Sequence, residues 1–171
     1  GFMTVDIEQK WKEYTGVKNA HFVNSNTAGL HLALDVLKRR RGWADGDEVI
    51  TTALTFVSTN HAILYCGLTP VFADVDEYLC IDPASLLERI TDKTRAVMFV
   101  GIGGNVGRYL EVLEICRSRG IAVILDAAHM AGTRIDGHHV GPEADVAVFS
   151  FQAVKNLPTA DSGMVCFADD A

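Results

Sequence analysis

The stretch Ile121-Ala-Val-Ile-Leu-Asp126-Ala-Ala-His129 decides the fold. Five apolar residues run from Gly120 straight into a carboxylate, with no polar residue alternating among them. A run this short and this uniformly apolar reads as a strand covered on both faces, the habit of parallel sheets flanked by helices. The pattern recurs at Val146-Ala-Val-Phe149, which leads into Ser150-Phe151-Gln152-Ala153-Val154-Lys155-Asn156.

Outward from these two strands, the spacing predicts helix and strand in alternation. Ile7, Trp11 and Tyr14 mark a helix over 5–14, stopped by Gly16. A strand over 20–24 precedes a helix over 27–40 with Leu30, Leu34 and Leu37 on one face. After a turn at 43–47 come a strand over 48–52, a helix over 58–66 and a strand over 70–74. Asp82 caps a short helix over 83–90 that has proline first. A strand over 95–100, a helix over 107–119, a strand over 121–125, and strands over 146–149 and 164–167 complete the series. This is a three-layer α/β/α domain with a mainly parallel sheet. No linker, repeat or low-complexity tract divides it.

The 171 residues suffice for one domain with a sizeable core, and 49% of them are hydrophobic. A formal charge of −7 leaves no basic stripe to neutralise phosphates, which argues against a nucleic-acid partner. Arg39-Arg40-Arg41 ends a predicted helix, where cations complement the exposed carbonyls. Cys66, Cys116 and Cys166 sit in apolar patterns and Cys80 stands apart, with no zinc-type spacing. They read as reduced thiols of a soluble cytoplasmic protein. No apolar run reaches membrane-spanning length, and Gly1-Phe-Met-Thr begins no signal peptide. That start reads instead as a fragment boundary.

In a sheet of this kind ligands bind beyond the carboxyl ends of the strands. Asn24-Ser25-Asn26-Thr27, Phe56, Asp126 and Ser150 all follow such ends. Asn24–Gly29 joins a strand to a helix whose first N–H groups and dipole favour an anion, unless the segment is a plain N-cap. Asp126 at one strand end and Lys155 beyond the next suit pyridoxal 5′-phosphate (PLP). There a lysine forms a Schiff base with the aldehyde and a carboxylate pairs with the pyridinium nitrogen. Lys155 is then also the group that moves a proton at Cα. His129 is placed to bond the phenolic oxygen, Phe56 to lie flat on the ring, and Ser150 to add a phosphate donor. Each of these side chains has an ordinary alternative as core, rim or solvated surface.

Here the residues carry a resemblance. Ser-Asn-Thr-Ala-Gly-Leu-His at 25–31, Thr-Phe-Val-Ser-Thr-Asn at 55–60 and Gly-Leu-Thr-Pro-Val-Phe-Ala-Asp-Val at 67–75 resemble the DegT/DnrJ-type aminotransferases. Asp-Ala-Ala-His at 126–129 and Ser-Phe-Gln-Ala-Val-Lys-Asn-Leu at 150–157 follow in the same order. The resemblance covers nearly the whole chain and implies a PLP-dependent, fold-type I enzyme of polysaccharide or antibiotic sugar biosynthesis. Its acceptor would be a nucleotide-linked keto-sugar and its amino donor glutamate. It implies Lys155 and Asp126 as catalytic residues. Asn26 (through its N–H), Thr27, Phe56, His129, Ser150 and Asn156 join them in binding the cofactor. It also implies a homodimer for the full-length protein and a smaller C-terminal domain beyond residues 1–171, without which this piece is inactive. Asn26 stands where the family often has glycine. The segment Val100–Asn105 stands where the family commonly has a histidine and an aromatic residue. Dehydratase members replace the lysine by histidine, and Lys155 argues against that reaction.

Two other readings stay open at this stage. Gly101-x-Gly103-x-x-x-Gly107 follows a strand and precedes a helix, with Asp126 at the end of the next strand. That is close to the dinucleotide pattern of an NAD(P)-dependent Rossmann oxidoreductase. The last is a truncated, non-catalytic relative that binds PLP.

Overall fold

The computed structural model describes residues 1–169. Helix α1 (Phe2–Thr15) leads to β1 (Asn19–Val23), α2 (Asn26–Arg41), β2 (Glu48–Thr52), α3 (Val57–Tyr65) and β3 (Thr69–Ala73). There follow α4 (Pro83–Arg89), β4 (Thr94–Val100), α5 (Tyr109–Arg117) and β5 (Ala122–Ala127). The short strands β6 (Arg134–Ile135) and β7 (His138–His139) precede β8 (Val146–Ser150) and β9 (Gly163–Phe167). The large sheet has seven strands in the order β1-β9-β8-β5-β4-β2-β3.

The sheet is mainly parallel, with one reversed strand. β9 runs antiparallel to both β1 and β8. A parallel return needs a crossover, usually through a helix, whereas the connection from β8 to β9 contains none. It therefore comes back beside β8 as a hairpin whose base pairs Ser150 with Gly163. The edges follow from sequence too. β3 contains Pro70, which has no N–H to give a ladder, and it lies at one edge. The central β5 is buried along its whole length.

Alternation sorts the core into two layers. Val123, Leu125 and Ala127 of β5, with Phe99, Ala147 and Phe149, pack against Trp11 of α1, Leu86 of α4 and Tyr109 of α5. Ala122 and Ile124, with Met98, Val146 and Val148, pack against Leu30 and Leu34 of α2 and Ile63 of α3. Asp126 has the parity of the second set. So do Val100 ending β4 and Ser150 ending β8, which points all three toward α2 and α3.

Local signals explain the remaining details. Gly16 ends α1 in the left-handed conformation, and the Asp82 carboxylate caps α4 at the Ala84 N–H. The predicted helix over 107–119 is shorter, Tyr109–Arg117, because Gly107 has φ +45° and gives its N–H to the Asn105 side chain. The β6–β7 hairpin is an addition to the predicted elements. It turns at Asp136-Gly137, both at positive φ, as the tight hairpin turn requires. Cys80 is buried like the other three cysteines.

Helix α2 lies close on the sheet because Gly29 has no side chain. A Cβ there would come within 2.5 Å of Val148 Cγ1. Gly29→Ala should therefore lower the urea midpoint, by about 1–3 kcal/mol of stability from overpacking, despite alanine's better helix propensity. Leu32→Ala, on the half-exposed side of the same helix, should stay within about 0.5 kcal/mol of the parent. Equal effects at the two positions would refute the close-packing account.

Candidate active site

The shared parity of Val100, Asp126 and Ser150 opens a cleft of about 430 Å³ at the carboxyl ends of β4, β5 and β8, beneath the starts of α2 and α3. Asp126 lies at its base, only 4% exposed. Its Oδ2 accepts from the Thr59 hydroxyl at 2.7 Å, and its Oδ1 accepts from Asn26 Nδ2 at 3.3 Å and the Ala128 N–H at 3.2 Å. Thr59 is itself 2.8 Å from the Thr55 hydroxyl one turn earlier. Burial pushes the carboxyl above the ordinary carboxylate range, and these three donors pull only part of the way back. All three donors are neutral. A carboxylate offers about four acceptor positions, so one remains for a further donor, and a cationic one would answer the buried charge.

The N-terminus of α2 forms one wall. Ser25 Oγ takes the Ala28 N–H at 3.1 Å, and the Ser25 carbonyl takes that of Gly29. The N–H groups of Asn26 and Thr27 are left for an anion. Strand β9 presses against this turn: a Cβ on Gly163 would stand 2.8 Å from the Asn26 nitrogen. Thr27 and Ser150 both line the cleft. Phe56, the residue before α3, stands at its rim and is 73% exposed, so it is no core residue.

His129 and Lys155 also line the cleft. His129 Nδ1 accepts the Gly103 N–H at 3.1 Å, so its ring proton sits on Nε2. Burial and then the charge of Lys155 hold this imidazole below its usual range, with Asp126 opposing. Lys155 lies in the β8–β9 connection, where its N–H closes a turn on the Gln152 carbonyl. Asn156 does not line the cleft. Its amide donates to the Ala131 carbonyl at 2.5 Å, tying the lysine loop to the segment after Asp126.

The glycine-rich turn after β4 does not support the dinucleotide reading. Gly101, Gly104 and Gly107 give their N–H groups to the Asp126 carbonyl, the Gly101 carbonyl and the Asn105 side chain. Gly103 gives its own to His129. None of the four is left for a pyrophosphate. Gly101 is needed for packing, because a Cβ there would overlap Met130.

Two features fit PLP. The base of the cleft holds a buried carboxyl with no ion pair among the described residues, suited to a protonated ring nitrogen. One wall holds a helix start with open N–H groups, suited to a phosphate. Asp126, Thr27, Ser150 and the Asn26 N–H would hold the group, and Lys155 would attach it.

The Asp126 environment has a measurable consequence. A carboxyl raised in the folded state binds more protons folded than unfolded, so stability falls as pH rises from about 3.8 through the folded value. Asp126→Asn removes that titration. In the cofactor-free chain the variant should gain on the parent between pH 4 and pH 7, by about 1.4 kcal/mol for each unit of upward shift. Thermal melts at the two pH values measure this, and a gap that does not change with pH would contradict the buried-charge account.

Comparison with known proteins places these features in a family. The model of the DegT/DnrJ/EryC1/StrS aminotransferase family matches residues 1–171. The chain is 42% identical over 165 residues to the spore coat polysaccharide biosynthesis protein SpsC of Bacillus subtilis, covering 96% of this chain and 41% of SpsC. It is 37% identical over 171 residues to the GDP-perosamine synthase of Caulobacter vibrioides, covering 99% and 45%. Among solved structures, the PLP form of Spr1654 from Streptococcus pneumoniae superposes with a TM-score of 0.89 at 30% identity, covering 98% and 46%. The chain thus spans less than half the length of these relatives. With a matching model from end to end, it belongs to the DegT/DnrJ/EryC1/StrS aminotransferase family.

Proposed function

We propose that the protein is the PLP-binding part of an aminotransferase that moves an amino group from an amino acid, glutamate by family habit, to a nucleotide-linked keto-sugar. The observation that carries this reading is Asp126 and Lys155 in one cleft, the acid buried without a cation and the amine on the loop above. When bound, the cofactor supplies an aldehyde for covalent attachment and a ring that takes up the electrons released at Cα.

The chain's own residues divide the remaining work. Asp126 holds a proton at the ring nitrogen, in a position fixed by Thr59 and Ala128. Lys155 would provide the attaching amine, and its free amine would carry a proton to and from Cα. The Nε2–H of His129 donates to the ring oxygen. Thr27, Ser150 and the Asn26 N–H would hold the phosphate, and Phe56 at the rim would pack on the ring. Lys155 favours amino transfer over dehydration, since the dehydratase members carry histidine at that position. The names of SpsC and GDP-perosamine synthase support a sugar as acceptor. We place the catalytic large domain in these 171 residues, with a small domain and a second subunit completing the working enzyme.

Incubation with PLP followed by borohydride should leave a pyridoxyl group on Lys155, located by peptide mapping. Lys155→Ala should carry none, and an adduct persisting in that variant would overturn the assignment. A longer chain that includes the small domain should aminate a nucleotide keto-sugar with glutamate at least a hundredfold faster than the 171-residue chain, roughly the loss expected when reacting groups are imperfectly placed. Equal turnover by both would show that the large domain suffices. No turnover by either, with PLP bound, would favour a non-catalytic relative.

A further inference from the structure

The acid of this site is braced by the first residue of the helix that also forms the anion-binding wall. Asn26 is the first residue of α2, and its amide is turned down into the core, leaving the residue 8% exposed. Nδ2 donates to the Val148 carbonyl at 2.9 Å and to Asp126 Oδ1 at 3.3 Å. A backbone carbonyl only accepts, so the Val148 contact settles which end of the amide faces the sheet. That same end then meets the carboxyl. Val148 lies beside Asp126 in the β5–β8 ladder, so the amide bridges two adjacent strands at the base of the cleft.

We propose that Asn26 is a positioning residue: its side-chain amide pins the Asp126 carboxyl to β8 and fixes the direction in which that carboxyl meets its ligand. The proposal rests on Asp126 being the acid for the ring nitrogen. It goes further by making one residue serve both ends of the cofactor. The main-chain N–H of Asn26 lies at the phosphate end, and its side chain reaches to the acid. A glycine at this position supplies the first and not the second.

The groups around Asp126 make the contact testable in isolation. From α2 and α3 it meets only the neutral Asn26 and Thr59, and from β8 Asn26 adds only the Val148 carbonyl. The titratable neighbour is His129, two residues beyond the end of β5, and Lys155 acts in turn on His129. Removing the amide therefore changes the carboxyl through one lost donor and not through a lost charge.

The experiment follows the Asp126 carboxyl by ¹³C NMR across pH in the cofactor-free chain, alongside PLP affinity measured by absorbance. In Asn26→Ala the Asp126 midpoint should move up by about one pH unit, since a donor to the charged form has gone. At a pH below both midpoints PLP affinity should fall roughly tenfold, because one unit of upward shift there leaves about a tenth of the carboxylate. A merely structural role would lower stability at every pH and leave the midpoint in place, and an unmoved midpoint overturns the proposal. A moved midpoint with unchanged affinity also overturns it, because the contact would then not matter to the ligand. Asn26→Asp gives an independent check by placing two carboxyls in one site. The pair should titrate in two steps separated by more than about one unit, and two overlapping independent titrations would count against the contact. If the parent chain binds no PLP, the functional reading fails, while the cofactor-free midpoints still decide whether Asn26 governs the acid.

Discussion

A carboxylate buried without a cation is the constraint on which this structure turns. Taking Asp126 out of water is unfavourable, and neutral donors compensate only in part. The surroundings are arranged accordingly. Thr59 comes from α3, Asn26 from α2 and the Ala128 N–H from the loop beyond β5, so three separate elements converge on two oxygen atoms. The closeness of α2 needed for this depends in turn on Gly29 lying against Val148. A fold optimised for stability alone would place an apolar residue there. Retaining the acid is the mark of a site whose missing charge arrives with a ligand.

The same arrangement explains why the glycine-rich turn after β4 belongs to the site without touching a dinucleotide. Its N–H groups are turned inward, one to the backbone of Asp126 and one to His129. The turn thus sets the tautomer of the histidine and closes the floor of the cleft. With Thr133 donating to the Gly104 carbonyl and Asn156 to the Ala131 carbonyl, the segment after Asp126 is fastened both to this turn and to the lysine loop. Acid, imidazole and amine therefore sit on one braced substructure.

Much of this was legible in the sequence. The apolar runs before Asp126 and Lys155 identify strands by period alone, and the rule that ligands gather at strand ends brings the acid and the amine together. Strand parity, which directs Val100, Asp126 and Ser150 to one face, was readable in principle. What could not be read depends on tertiary contact. Thr59 follows Thr55 at helical spacing, yet its role emerges only once α3 lies over the end of β5. Asn26 was legible as a helix start and as a backbone donor, but the inward turn of its side chain depends on the Val148 carbonyl. Asn156, which the resemblance implied as a cofactor contact, is held instead by the Ala131 carbonyl, a contact set by tertiary packing. The reversal of β9 was implicit in the lack of a helix between two strands. The β6–β7 hairpin was announced by Asp136-Gly137, a signal masked by its very short strands.

The order of the strands has a consequence for how such a chain is made. β1 emerges early in synthesis, yet its ladder partner in the sheet is β9, which follows every other strand of that sheet. Until then the anion-binding turn that follows β1 has no sheet to rest against, while β2 to β5 can already assemble with their helices. Contacts of such long sequence separation form slowly. Docking β9 inserts it between β1 and β8, closes the lysine loop at its base and seats α2 against the sheet. The anion-binding end of the cleft is therefore completed only once β9 is in place, after the acid end on β5 and α3 can form.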